Sequence, residues 1–433
     1  MEIAVSLLIL VAAIVIGIPV PFCFTLSIIW LHITLGVSPQ FFHRTAYSQI
    51  SSIVLLAIPL FILSGGIVTK GKIGEAMVNW VSLFIGRVKG AMGILAVLAS
   101  TGFSAMAGSG AATVSAIGSI LGPNMREKNY NMGKCAAIVC CAGPLGLVLP
   151  PSPTQILYAW QGGLSVLTCF LAIVGPGLML SAILTIGAYI LLRKEEGAIM
   201  SDAIPKGEFL SQFGKRSFHA IPALMLPVIL LGGIYGGFMT PTEAAGMSVL
   251  YAIPIGLFVY KGLTFKELGN TLLSTGTTTG TLMVMIAIVM IFSTILVRES
   301  LHTILLNLLL GISENPHVIM IMINITVILI AAVMDDASAI LLCTPILLPI
   351  VRHIGVNPYH FAAILGTNIA MGNVTPPTAP FIFLAARILD VPVSEMIKPV
   401  MQILAFCYVP ALLITIFFPE LSLWLPRLVL GSV

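Results

Sequence analysis

Leu145-Gly146-Leu147-Val148-Leu149-Pro150-Pro151-Ser152 and, 226 positions further along (Pro150 to Pro376), Met371-Gly372-Asn373-Val374-Thr375-Pro376-Pro377-Thr378 decide how this chain is read. Each is a double proline set in a long apolar run. Proline removes a backbone donor and breaks a helix, and in hydrocarbon the freed N–H and C=O groups must find protein, water, an ion or a ligand. One break could be a kink. Two in corresponding positions of two halves mark the substrate region of a secondary transporter built from internal repeats.

The composition demands a membrane around those breaks. The 433 residues are 58% hydrophobic and 8% charged, with a mean hydropathy of +1.09; a soluble domain is about 25% charged. No hydrophilic stretch is long enough for a separate soluble domain, so capture of a solute outside the membrane needs another protein. Met1-Glu2 leads straight into an apolar segment with no signal-peptide flank, which predicts a retained first span. The seven cysteines lie in apolar stretches without zinc-ligand spacing and read as small buried hydrophobes.

Apolar windows able to cross about 30 Å of hydrocarbon fall at 3–18, 20–36, 50–69, 131–162, 165–192, 217–238, 241–260, 276–297, 357–389 and 396–418. Two more stretches, 90–124 and 316–351, are too long for one span and have small or polar centres, Ser104 to Gly110 and Met334 to Ser338. They read as re-entrant helical hairpins. The expected fold is an all-α polytopic membrane protein of two inverted repeats (1–192 and 217–433), each with about five spans, one hairpin and one discontinuous helix. The segment 193–216 is expected to join them in the cytoplasm.

Five crossings per half force the second half to be inverted, and the charges agree. With both termini outside, sixteen of the 20 basic residues fall on the cytoplasmic side, among them Lys70, Lys72, Arg87, Lys89, Arg126, Lys134, Lys194, Lys261 and Lys398. Only Arg44, Arg298, Arg352 and Arg427 stay outside. At the same offset of 226, Pro123 meets Pro349, Gly146 meets Gly372, and Ser109-Gly110 meets Asp335-Asp336.

Asp335 and Asp336 are the sharpest chemical signal, because carboxylates in an apolar hairpin are costly and usually functional. They suit Na⁺ or a proton, or one of them caps the following helix. The first tip offers Ser104, Gly108, Ser109 and Thr113, which suit an ion or anion, or close packing. Asn368, Asn373, Thr375 and Thr378 around the second break could ligate Na⁺, bind a carboxylate, or repair the broken ladder. One tip paired with one break per half predicts two similar cation sites around one substrate site. The candidate substrate residues are Ser104, Ser109, Ser152, Asp335, Asn373 and Thr378. The candidate Na⁺ ligands are Ser104, Gly108, Ser109, Gly143 and Val148 in the first half, and Asp335, Gly366, Asn368, Gly372 and Thr375 in the second. Glu243 reads as a capping residue, and the histidines as interfacial. The amphipathic stretches 72–87 and 299–312 could be arms joining a moving unit to a fixed one, or plain connectors.

The chain resembles the large membrane subunit of tripartite ATP-independent periplasmic (TRAP) transporters over essentially its whole length. The matching stretches are Ala57 to Gly65, Ala107 to Thr113, Leu145-Gly146 with Pro150-Pro151-Ser152, Met334-Asp335, Pro345 to Pro349, Asn357 to Phe361, and Gly372 through Thr375-Pro376-Pro377. The resemblance implies a Na⁺-driven importer of a small organic acid, of the sialic acid or C4-dicarboxylate class, in a bacterial inner membrane. It further implies an elevator mechanism, a separate four-span membrane subunit and a periplasmic binding protein. Asp335 matches the family's hairpin aspartate, whereas Asp336 and Pro153 depart from its pattern. A dicarboxylate symporter of similar fold that needs no binding protein is the alternative. An intramembrane enzyme is disfavoured: Asp335 and Asp336 are adjacent rather than on separate spans, and no histidine is placed to serve Ser109 or Ser152. Nucleic acid is not an expected partner.

Overall fold

The computed structural model describes residues 1–85, 90–195 and 206–431, with side chains omitted for 206–212. Arg87, Lys89, residues 196–205 of the expected linker, and residues 432 and 433 lie outside the described residues. Regular structure among the described residues is entirely helical, as expected where hydrocarbon offers no partner for a backbone polar group. Eight helical stretches of 18 residues or more are apolar enough to cross a bilayer. The first two expected spans are shorter helices, Glu2–Val15 and Val20–Leu35, bounded by left-handed turns at Gly17 and Gly36. The window 276–297 is the second part of one helix, Phe265–Arg298.

Both hairpins are present, as Ala91–Ala107 with Gly110–Glu127 and as Pro316–Ala331 with Asp336–His353. Both breaks are present as well. Met132–Ala142 and Leu145–Val148 precede Pro150 and Pro151, and Pro153–Gly162 follows them. Pro358–Gly372 precedes Pro376 and Pro377, and Pro380–Leu389 follows. The bond between the paired prolines is cis in each half.

The halves interlock by exchanging equivalent parts. The second arm of each hairpin packs on the post-break helix of the other half, Gly110–Glu127 on Pro380–Leu389 and Asp336–His353 on Pro153–Gly162. Each contact is tied by an arginine: Arg126 donates to the Leu389 carbonyl (2.8 Å) and Arg352 to the Gly162 carbonyl (3.5 Å). Arg126 and Arg352 are themselves 226 positions apart.

The charge-based threading puts these two ties on opposite sides, as inversion requires. The lysine-rich end gathers Gly262 against Gly71 and Lys72, the Trp80 indole donating to Ser217 Oγ at 3.1 Å, and the Lys134–Glu195 ion pair. The other end brings Thr242 to the Ile53 carbonyl (3.5 Å) and the Arg298 guanidinium over the Phe41 ring at 4.3 Å. Every one of these contacts joins segments that the charge-based threading puts on one side.

Packing sorts the helices into two bodies. Helices up to Lys70 pack with those of 206–298, most closely Ala57–Lys70 against Pro241–Pro254. Hairpins and broken helices form the second body with Val166–Leu192, Val393–Phe417 and Glu420–Leu430. The amphipathic helix Ile73–Val81 touches Lys206–Tyr235 of the first body and Ala91–Ala107 of the second, and Leu301–Ile312 likewise touches Phe265–Arg298 and Asp336–His353. Glu243 closes a capping box with Thr240, accepting its backbone N–H at 2.7 Å. His360 differs from the interfacial expectation: it is buried, because Ser422 Oγ (3.2 Å) and the Ile416 carbonyl (3.4 Å) face its ring nitrogens.

Cross-half hydrogen bonds pin the second body. The Gln155 amide donates to the Ala362 carbonyl (3.1 Å) and the Tyr158 hydroxyl to the Pro358 carbonyl (2.7 Å), all within apolar packing. Tyr158→Phe removes that cross-half bond and is expected to destabilise the protein by about 1 kcal/mol. A lowered thermal midpoint in detergent, against an unchanged one for an exposed Tyr47→Phe control, checks this.

Candidate functional site

Each break is repaired locally. The Leu147 carbonyl would normally receive the N–H of residue 151, which is proline and has none. The Ser152 hydroxyl and the Thr154 hydroxyl (3.0 Å) donate to it instead. In the second half the Asn373 carbonyl faces Pro377 in the same way and receives the Phe381 N–H at 3.5 Å. The Thr378 hydroxyl reaches across to the Ala332 carbonyl at the end of a hairpin arm (2.6 Å).

Glycines let tip and break touch backbone to backbone. A Cβ on Gly146 would lie 2.7 Å from Ser109 C and O, and one on Gly108, held at φ +57, would lie 2.4 Å from the Pro151 oxygen. In the second half a Cβ on Gly372 would lie 2.3 Å from the Ala331 Cβ. The tips are equivalent too. Ser109 caps Gly110–Glu127, accepting the Ala112 N–H at 3.4 Å. Asp335 caps Asp336–His353, accepting the Ser338 N–H at 3.1 Å.

The two tips converge on a cavity of about 230 Å³ between the two bodies. Gly108, Ser109, Leu147, Pro153, Thr154, Leu157, Asp336 and Ala337 line it from the second body, and Ile58, Ile62, Thr278, Leu282 and Ile286 from the first. Three helices begin at its wall: Gly110–Glu127, Pro153–Gly162 and Asp336–His353. Their N-termini carry unpaired N–H groups and partial positive charge, a setting for an anion. Asp336 supplies a carboxylate beside them.

A second cavity of about 510 Å³ shares the wall at Ile62, Ser109 and Thr278 and runs to the lysine-rich end, past Asn270, Thr271, Ser274 and Thr275 to Lys70 and Glu267. Toward the opposite end the bodies close: Asp336–His353 packs on Phe265–Arg298, and Ser293 Oγ donates to the Leu341 carbonyl at 3.3 Å. The central cavity thus adjoins, through Ile62, Ser109 and Thr278, a second cavity on the side of Lys70 and Glu267.

Of the residues expected in the site, Gly108 and Ser109 line the cavity. Ser104 is buried behind the tip, its hydroxyl donating to the Ser100 carbonyl at 2.6 Å. Ser152 is used in the repair just described, while Gly143 and Val148 are packed within the break. Thr375 donates to the Met371 carbonyl (2.7 Å) and Asn373 to that of Ile369 (3.1 Å). Gly366 makes room for the Gln155 amide. The Asn368 amide donates to Asn324 Oδ1 at 2.7 Å, while its own Oδ1 is buried without a hydrogen-bond partner. Asp335 is engaged as a cap, and its neighbour Asp336 reaches the cavity. Sequence reasoning did not reach Thr278, Leu282 and Ile286, four residues apart on a span. The run Ser274-Thr275-Gly276-Thr277-Thr278-Thr279-Gly280-Thr281 was the signal available.

Residues 7–421 match the family model described as the tripartite ATP-independent periplasmic transporter, DctM component. The chain is 34% identical to the C4-dicarboxylate TRAP transporter large permease protein DctM of Pseudomonas aeruginosa, over 86% of each chain. It is 31% identical to the sialic acid TRAP transporter large permease protein SiaM of Vibrio cholerae, over 96% of each. Identity to the isethionate TRAP transporter permease protein DctMQ of Oleidesulfovibrio alaskensis is 32% over 95% of this chain, which spans 64% of that protein's length. Among solved structures, the YdaH transporter of Alcanivorax borkumensis shares the fold with a TM-score of 0.61, at 14% identity and 88% coverage of each chain. The chain belongs to the DctM family of TRAP transporters: it is a multi-pass membrane permease subunit and not an enzyme.

Proposed function

We propose that this DctM-family subunit carries a small organic acid through the membrane with Na⁺, and that the central cavity is where the acid binds. The observation that carries the reading is the convergence of three helix N-termini and two hairpin tips on one cavity between two bodies. The N-termini would hold a carboxylate. A volume of about 230 Å³ is below the roughly 300–1,000 Å³ of sites for drug-sized ligands. A compact acid such as a C4-dicarboxylate would fit this cavity alone, and a nine-carbon sialic acid would extend into the adjoining cavity of about 510 Å³.

Na⁺ would travel as co-substrate. At the first tip and break, Gly108 and Ser109 line the cavity, and Ser104, Gly143 and Val148 would complete the first group of ligands. In the second half, Gly372 meets the Ala331 end of the hairpin arm, Thr375 lies in the break, and Gly366 and Asn368 stand on the helix before it. The unpartnered Asn368 Oδ1 supports a cation at the second group, since a buried carbonyl oxygen ordinarily has a partner. Such a pair of sites accounts for an anion beside Asp336, whose charge a cation would offset.

The positive-inside rule puts the lysine-rich end in the cytoplasm, so this conformation is read as the one that releases substrate inside the cell. Uptake would proceed by the second body sliding past the first, with Ile73–Val81 and Leu301–Ile312 as connecting arms. A bacterial inner membrane, a small membrane subunit and a periplasmic binding protein complete the proposed system.

The cavity reading is tested with Thr278→Cys in the reconstituted protein. The native cysteines are all buried, so a membrane-impermeant maleimide should modify position 278 from the cytoplasmic face. Succinate plus Na⁺ should slow that reaction at least about fivefold, and malate should compete. Equal rates with and without every acid tried, in the presence of Na⁺, would contradict the placement of the site.

A further inference from the structure

Away from the transport cavity, three lysines from three separate segments meet at one groove on the outer wall of the second body. Val166–Leu192 and Val393–Phe417 form its sides, and its volume is about 770 Å³. Lys134, Lys194 and Lys398 stand at its mouth, and Ile183, Ile186, Ile190 and Phe406 line its length. Ile186, Ile190 and Phe406 are 60%, 52% and 76% exposed, so the groove opens to the hydrocarbon. Gly187 sets its floor: a Cβ there would lie 2.5 Å from the Cys407 sulfur. Beside it the helix carries a π turn over Leu404–Tyr408.

We propose that this groove binds an anionic phospholipid of the cytoplasmic leaflet, with the headgroup phosphate held by Lys194 and Lys398 and one acyl chain lying along Ile186, Ile190 and Phe406. Lys134 pairs with Glu195 and adds the third ammonium at the rim. Charge complementarity selects the occupant. A zwitterionic lipid or an apolar helix would cover the groove equally well but would leave beside hydrocarbon the ammonium groups of Lys194 and Lys398, which have no ion-pair partner among the described residues. Basic pockets between spans on the cytoplasmic side recognise anionic headgroups in this way. All three lysines belong to the end that the charge distribution assigns to the cytoplasm, where such lipids are available.

The test is native mass spectrometry of the delipidated protein titrated with phosphatidylglycerol, with phosphatidylcholine of the same acyl chains, and with glycerol 3-phosphate. Phosphatidylglycerol should bind at least about tenfold more tightly than phosphatidylcholine, and glycerol phosphate should not compete at equal concentration. Lys194→Gln/Lys398→Gln should erase the preference while leaving the thermal midpoint unchanged. Ile186→Trp, which fills the groove and keeps the charges, should weaken phosphatidylglycerol as well. Equal affinity for the two lipids, a preference surviving both variants, or full competition by glycerol phosphate would overturn the proposal. So would a benzophenone amino acid at position 186 that captures protein instead of lipid in native membranes.

Discussion

Asp336→Ala and Asp336→Asn are expected to reduce Na⁺-driven uptake at least about 100-fold, a loss of roughly 2.7 kcal/mol in transition-state terms, with expression and thermal midpoint retained. Asp335→Asn is expected to transport within a few-fold of the parent protein. The two neighbours have different work. Asp335 accepts the Ser338 N–H at 3.1 Å as the cap of its helix, and asparagine caps as well as aspartate does. Asp335→Ala loses the cap at a cost of about 1 kcal/mol, so its defect should follow the thermal midpoint. Asp336 lies one residue further on and faces the cavity shared with Ser109, Thr154 and Thr278. A carboxylate there is costly to keep within a membrane, which is the reason to assign it a role in binding the ion or the acid. Uptake and melting of the four variants check the division. A dead Asp335→Asn beside an active Asp336→Asn would reverse it.

Gly146→Ala is expected to cost about 1–3 kcal/mol of stability by overpacking and to abolish uptake even at temperatures where the protein stays folded. The new Cβ would sit 2.7 Å from Ser109 C and O and 2.9 Å from Gly110 N. Those are backbone atoms of a hairpin tip, which cannot rotate away as a side chain can. Relief requires the tip to leave the break, and the cavity wall moves with it. Gly232→Ala, which would meet nothing within 4 Å, is the control and should be neutral or slightly stabilising, since alanine is the better helix former. Normal transport by Gly146→Ala would show that contact between tip and break is not required.

What was legible in the sequence is what acts locally. Proline cancels a specific hydrogen bond wherever it stands, so the two breaks could be placed from residue identity, and the offset of 226 aligned Ser109 with Asp335, which the structure shows to cap equivalent helices. The basic residues marked the two ends because each loop carries its own charge. The assignment of hydroxyls to repair or to recognition was not legible. Ser152 and Thr154 both reach the Leu147 carbonyl, and only the path of the chain through the break decides that. The sequence pattern pointed to Asp335, whereas the aspartate that lines the cavity is Asp336, because cap and first helical residue point in different directions once the helix phase is set. Thr278, Leu282 and Ile286 face the cavity from a span that the Ser/Thr/Gly run 274–281 sets apart without saying which of its sides is used. Their role depends on which side of Phe265–Arg298 meets the second body, a tertiary fact.

If the cavity belongs to a Na⁺-coupled carrier of a small organic acid, the decisive experiment is uptake of labelled succinate and sialic acid into proteoliposomes holding this chain and its small membrane subunit, with and without an inward Na⁺ gradient and the periplasmic binding protein. One of the two acids is expected to accumulate, and only when gradient and binding protein are both present. Uptake of the acid that is indifferent to the Na⁺ gradient would contradict it.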